Sequence, residues 1–271
     1  MLESWPNPEG GWESWKPLWI GVEYTRSSRT RPRPMKCHAL RLDLDASGLE
    51  VLVNQPLDGP RETRAQVATG FLRREHLQVA VTTTAFAPIA RFPGEALDVV
   101  GLAVRDGHCW SPAVPNLDAL VITRQRRARI VAARGDISDA WQGAGGNLAI
   151  LRGGTNVAEK LRAEATSACG VSADGRYLFW LVVDGRQKGW SEGSTAPEAA
   201  DMLRELGAAD ALRFDDGSVV TLAMEGPWGW PRVVNRPCHP YVTGVQRPVA
   251  SFVGIRARAL GEVGGGVSGA R

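Results

Sequence analysis

Two short segments of this chain concentrate groups capable of acid–base and anion chemistry: Asp184-Gly185-Arg186 and Asp215-Asp216-Gly217-Ser218. In the first, the glycine lets backbone N–H groups approach a ligand oxygen, and the arginine can pair in bidentate fashion with a carboxylate or phosphate. In the second, adjacent carboxylates can serve as general acid or base, as ligands of a hard cation, or as acceptors for sugar hydroxyls. Each also has a plainer reading, a structural Asp–Arg pair closing a turn and an ordinary Asp-Gly hairpin turn. Gly143-Ala144-Gly145-Gly146-Asn147 precedes a strand pattern and lacks the Lys-Ser/Thr of a phosphate loop, which disfavours nucleotide binding. No Gly-x-Ser-x-Gly elbow is present and the four histidines stand in no triad order, which argues against a serine hydrolase.

Metal and cofactor chemistry finds little support. Cys37, Cys109, Cys169 and Cys238 are scattered, with no Cys-x-x-Cys pair and no zinc-type Cys/His spacing, so neither a metal nor a cofactor is expected; one disulfide stays open. With 32 basic against 29 acidic residues, the net charge of +3 is too balanced to indicate a nucleic-acid partner. The basic run Arg124-Gln125-Arg126-Arg127-Ala128-Arg129 lies between apolar stretches and reads as a solvated turn between strands. No apolar stretch is long enough for a membrane span, and residues 1–11 lack the apolar core of a signal peptide. Two compartments stay open, the cytoplasm and an exported location whose leader is absent from this chain.

The candidate groups must be positioned by strands. Tyr177–Val183, apolar throughout, reads as a central strand covered on both faces and delivers Asp184 at its end. Ala211–Phe214 does the same for Asp215. Cys37–Leu44 alternates with period two, and Leu49–Val53 follows a Ser47-Gly48 turn, which predicts a hairpin. Thr63–His76 carries Val67, Ala68, Phe71 and Leu72 at helical spacing, and a second helix is predicted over Ala196–Leu206, with Thr195 as N-cap, Pro197 in the first turn and Gly207 as the stop. Trp5, Trp12, Trp15 and Trp19, followed by polar Thr25–Pro34, read as an arm and loop, its aromatics pinning it to the body or stacking on sugars. The expected fold is α+β: a single domain of mostly antiparallel mixed sheets with a few flanking helices. Residues 1–17 form an N-terminal aromatic arm, 18–258 the domain, and 259–271 a Gly-rich tail.

Taken in order, these segments resemble the phosphodiester glycosidase family. The matching pieces are His38-x-Leu40-Arg41-x-Asp43-Leu44, Gln78-Val79-Ala80, Gly101-Leu102-Ala103-x-x-Asp106-Gly107, Gly145-Gly146-Asn147, Gly170-Val171-Ser172-x-Asp174-Gly175, Val182-Val183-Asp184-Gly185-Arg186, Ser191-x-Gly193, Ala211-Leu212-x-Phe214-Asp215-x-Gly217, Val234-Asn235-Arg236-Pro237 and Arg247-Pro248-Val249-Ala250. They span roughly residues 18–256. Three motifs depart: the family's Asp-Gly-Gly-Gly-Ser-Ser/Thr reads Asp215-Asp216-Gly217-Ser218-Val219-Val220-Thr221 here, its Arg-Thr-Ala reads Thr166-Ser167-Ala168, and its Asn-x-x-Phe is replaced by the Thr82-Thr83-Thr84 run before Phe86.

The resemblance implies a hydrolase acting at a sugar-phosphodiester bond in a pocket for a sugar linked through phosphate, or a glycan. Asp184, Arg186 and Asp215 are the catalytic candidates, with Arg186 on the anionic group and the carboxylates handling protons or oxocarbenium charge. Gly145, Gly146, Asn147, Ser191, Gly193, Gly217, Thr221 and Asn235 are the substrate-binding candidates. The alternative is a catalytically impaired relative that binds a glycan or a protein partner in cell-envelope or exopolysaccharide metabolism.

Overall fold

The computed structural model describes Trp5 and residues 11–261; residues 262–271 of the expected tail and most of the expected arm up to Gly10 lie outside the described residues. Strands β1 (Lys16–Trp19), β2 (Val22–Arg29), β3 (Met35–Asp43), β4 (Glu50–Val53) and β5 (Thr63–Arg64) precede helix α1 (Ala68–Arg74). There follow β6 (Val79–Thr82), β7 (Phe86–Ala87), β8 (Ala96–Val99), β9 (Ala103–Arg105), β10 (His108–Ser111), β11 (Ala119–Thr123) and β12 (Ala128–Val131). The second half runs through β13 (Ala140–Gly145), β14 (Ala149–Arg152), β15 (Thr155–Asn156), β16 (Thr166–Val171), β17 (Tyr177–Val183), helix α2 (Ala196–Leu206), β18 (Asp210–Asp216), β19 (Leu222–Glu225), β20 (Pro231–Val233) and β21 (Phe252–Arg256).

The eight-stranded sheet has the order β1-β2-β3-β17-β16-β18-β14-β15. Two five-stranded sheets, β10-β9-β13-β11-β12 and β20-β19-β6-β21-β4, and a small β5-β8-β7 sheet complete the set. Every pairing among the described residues is antiparallel. Strands hold 42% of the residues and helices 10%, so the expected α+β mixture with mixed sheets is corrected to a mainly β, antiparallel fold with two α-helices on its outer faces.

Alternation along β17 explains the layering. Leu178, Trp180 and Val182 join Leu212, Phe214, Val81, Leu120 and Ile255 in the core between the large sheet and the two five-stranded sheets. Phe179, Leu181 and Val183 face the other way, onto Ala199, Met202 and Leu203 of α2. The strand is thus covered on both sides, as its unbroken apolar run requires. Trp180 stacks on Phe214 with ring centroids 5.2 Å apart, and its indole N–H donates to Ser167 Oγ at 3.2 Å. On the far side, α1 packs Ala68, Phe71 and Leu72 against Ala80, Ala223 and Phe252. Helix α2 begins at a capping box between Thr195 and Glu198 and ends at Gly207 with φ +111°, as predicted.

Three expectations are corrected. Cys37–Leu44 and Leu49–Val53 do not pair as a hairpin: β3 lies between β2 and β17, whereas β4 joins β21 in another sheet. The polar stretch Thr25–Pro34 is a loop only from Thr30 on, since β2 runs to Arg29 and buries Thr25, Ser27 and Ser28; Thr25 Oγ1 donates to Glu13 O at 2.7 Å and Ser28 Oγ accepts from Lys36 Nζ at 2.7 Å, while Ser27 Oγ has no partner. The first helix is short, Val67 caps it, and Thr63–Arg64 forms a strand instead. The four cysteines are free thiols. Around Trp5, Trp12 and Trp15 lie cations, with Lys36, Arg29 and Arg41 over the respective rings, and Trp5 also meets His38 and Trp190 edge-on while the Trp12 indole N–H donates to Glu205.

Candidate functional site

Asp184 follows the last residue of β17 and is 1% exposed. Its Oδ1 accepts from the backbone N–H of Arg236 at 2.8 Å and from Asn235 Nδ2 at 3.2 Å, while Oδ2 accepts from the Trp190 indole at 3.3 Å. Burial raises its ionisation, offset in part by these donors, and leaves the carboxyl at about 6. Ser191 closes the same turn, donating from Oγ to Asp184 O at 2.6 Å and accepting the Lys36 N–H at 2.9 Å. Asn235 also accepts from the Leu222 N–H at 2.8 Å. Asp184, Ser191 and Asn235 therefore form one buried knot joining β17, β3 and β19.

Arg186, with φ +56°, turns its guanidinium onto Glu164, a carboxylate 2% exposed that also takes Arg162 Nε at 2.8 Å. Gly217 lies beneath that guanidinium: a Cβ there would sit 2.6 Å from Arg186 Nη2, and its φ of +72° is a left-handed value that glycine adopts without strain. A Cβ at Gly193 would strike the Glu164 backbone, whose N–H and C=O exchange bonds with Ser194. Arg186, Glu164, Gly193 and Gly217 make a second cluster.

The third cluster comes from a bulge. Across β16 and β18, Thr166 faces Asp216 and Ala168 faces Arg213, so two residues, Phe214 and Asp215, lie between the paired positions on β18 against one, Ser167, on β16. The extra residue brings Arg213 and Asp216 to one side, with Arg213 Nη2 2.8 Å from Asp216 Oδ2. Lys160 Nζ reaches the same oxygen at 2.6 Å. Asp215 is anchored by its N–H to Thr83 O at 3.0 Å, and burial raises its pKa above the usual carboxylate range. These groups, with Asn147, Leu148 and Ile150, line a cavity of about 800 Å³. Asn147 is held by Nδ2 donating to Phe214 O at 2.8 Å.

Of the expected site residues, Asp215 and Asn147 line this cavity; Asp184, Arg186, Ser191, Gly193, Gly217, Thr221 and Asn235 do not. Val183 and Asp216 both partner Thr166 from opposite sides, so the two Asp-Gly turns leave the same end of the sheet two strand spacings, about 10 Å, apart. Gly145 and Gly146 serve packing: a Cβ would meet Leu102 N at 2.5 Å and Leu212 at 2.7 Å respectively. Thr221 is fully buried, its Oγ1 without a partner. Sequence reasoning passed over Glu164, Lys160 and Arg213. Arg213 carried the one available signal, a charged residue within an apolar strand run. Among the described residues no cluster of metal-ligating side chains occurs, and no helix is long and apolar enough to cross a membrane.

A helix-flanked, wholly antiparallel β fold that gathers carboxylates and arginines where its central strands end defines the class. The chain belongs to the phosphodiester glycosidase family, whose model matches residues 75–256. It is similar in fold to the catalytic domain of zebrafish N-acetylglucosamine-1-phosphodiester alpha-N-acetylglucosaminidase auto-inhibited by its pro-peptide, at 17% identity and a TM-score of 0.64, covering 91% of this chain and 86% of that one. A Synechocystis protein matches at 13% identity and a TM-score of 0.63, over 90% of this chain and 64% of its own length. A protein of Burkholderia pseudomallei K96243 described as exported matches at 14% identity and a TM-score of 0.61, over 82% of this chain and 74% of that one. At these identities the likeness is one of fold. No curated protein matches the sequence.

Proposed function

We propose that this chain is a hydrolase that cleaves a sugar-phosphodiester bond in the cavity beside β18. The observation that carries the reading is Asp215, whose backbone is fixed to Thr83 at the bulged end of a central strand while burial keeps its carboxyl protonated to higher pH than usual. A carboxyl so held can donate its proton to the leaving phosphate oxygen as the C1–O bond lengthens. Asn147 offers hydrogen bonds to a sugar from the same wall. Asp184, sealed and bonded through both oxygens, shapes the site through Asn235 and the Arg236 backbone, and Arg186 with Glu164 supports the Gly217 turn. Family membership supports the reaction class, and the zebrafish neighbour is named for action on an N-acetylglucosamine-1-phosphodiester. In this reading Asp216 and Thr166 make the site a divergent version of the family pattern.

A screen of glycosyl-1-phosphodiesters tests it. Turnover is expected, falling as pH rises through the Asp215 ionisation, and Asp215→Asn should lower it by about 10²- to 10⁴-fold. Unchanged turnover in that variant would remove Asp215 from the chemistry, and binding without turnover in the parent would favour a glycan-binding relative.

A further inference from the structure

Arg213 is 3% exposed, yet its Nε has no hydrogen-bond partner, and its Nη2, 2.8 Å from Asp216 Oδ2, makes an ion-pair contact without hydrogen-bond geometry. Buried donors without acceptors are costly, and native proteins seldom keep them unless something outside the chain completes them. Its charge contact is Asp216, shared with Lys160. All three line the cavity that holds Asp215. Two cations against one carboxylate leave a single net positive charge, which a phosphodiester, carrying one negative charge, complements and a neutral sugar does not. Of the other carboxylates on this wall, burial raises the Asp215 pKa above the usual carboxylate range, and Glu159 stands exposed on the rim. Arg186 pairs with Glu164 and does not line this cavity.

We infer that Arg213 and Lys160 form the oxyanion-binding site for the phosphodiester group, with Asp216 as the counter-ion that holds both cations at the cavity wall. The inference rests on the reading of this cavity as the phosphodiester site and adds to it the groups that select the anion. A phosphodiester presents two non-bridging oxygens, enough to accept from the unpartnered Arg213 Nε–H and from the Lys160 ammonium together.

The test is calorimetric titration of a glucosyl methyl phosphodiester, its N-acetylglucosamine counterpart and the neutral methyl glucoside into the intact Asp215→Asn protein, in which turnover is blocked. Adding Arg213→Met should weaken phosphodiester binding by about ten-fold or more, Arg213→Lys less, and Lys160→Met by a few-fold, with glucoside binding unmoved. Lys160 is half exposed, so its variant decides the matter even where Arg213→Met fails to fold. Equal phosphodiester affinity in the folded variants, or no binding at millimolar phosphodiester, overturns the inference. Binding with these dependences but no cleavage by the parent would sink the hydrolase reading and leave the anion site standing. Cleavage with KM untouched by Arg213→Met would do the reverse.

Discussion

The carboxylate of Asp184 accepts a 2.8 Å hydrogen bond from the backbone N–H of Arg236, joining positions 52 residues apart. The folded carboxyl holds its proton up to about pH 6, against an ordinary value of 3.8, because it is buried. The unfolded chain therefore ionises first as pH rises. The stability this shift contributes is whole below about pH 3.8, declines as pH climbs to 6 and is absent above, a swing of about 3 kcal/mol. Asp184→Asn abolishes the titration but turns an amide toward the Trp190 indole, losing one bond at about 1 kcal/mol. The variant should be less stable than the parent at pH 4, with the gap closing or reversing by pH 7 in urea unfolding. A gap constant across that range would refute the assignment.

Gly217 and Gly189 separate backbone strain from crowding. Both have left-handed φ, +72° and +76°, but a Cβ at Gly189 meets open space and one at Gly217 meets Arg186. Gly189→Ala should cost about 1–2 kcal/mol, and Gly217→Ala more, with a fall in turnover because Arg186 must move. Equal costs would show that Arg186 yields freely.

Arg186→Ala strips the buried Glu164 of one of two arginines. The expected loss is about 1.5–3 kcal/mol, and the double variant Arg186→Ala/Glu164→Ala should recover part of it, since no buried carboxylate is then left underpaired. Chemical denaturation of the four-member cycle measures the coupling.

Thr195→Ala removes the N-cap of α2, whose Oγ1 accepts from the Glu198 N–H at 3.3 Å while Glu198 returns a 2.8 Å bond to the Thr195 N–H. A cost of about 1 kcal/mol is expected. Thermal unfolding that shows no decrease would mean the helix is held wholly by packing on β17.

What the sequence disclosed follows from the range of the forces involved. Helix α2 was legible to the residue because its cap, proline and terminal glycine are local signals. Strand β17 was legible because a run covered on both faces cannot afford polar residues. Strand β2 was missed because two of its three buried hydroxyls find partners on other segments, Thr25 on Glu13 and Ser28 on Lys36. The false hairpin arose because alternation fixes that β3 and β4 are strands but not with which strands they pair. At the site, Asp215 and Asn147 stand out by motif. Lys160 and Arg213 converge only through a bulge and a long-range approach that no local pattern encodes.

The pairing of β4 with β21 fixes the order in which this chain can fold. Residues 50–53 find their sheet neighbour only in residues 252–256, and residues 79–82 find theirs only in residues 222–225 and 252–256, so a nascent chain emerging from the ribosome carries two unpaired apolar strands until most of the domain has been made. High contact order of this kind slows folding and leaves strand edges open in the interval. Production at lower temperature or with chaperones should raise the soluble yield, and truncation before Phe252 should give a chain that cannot close its inner core.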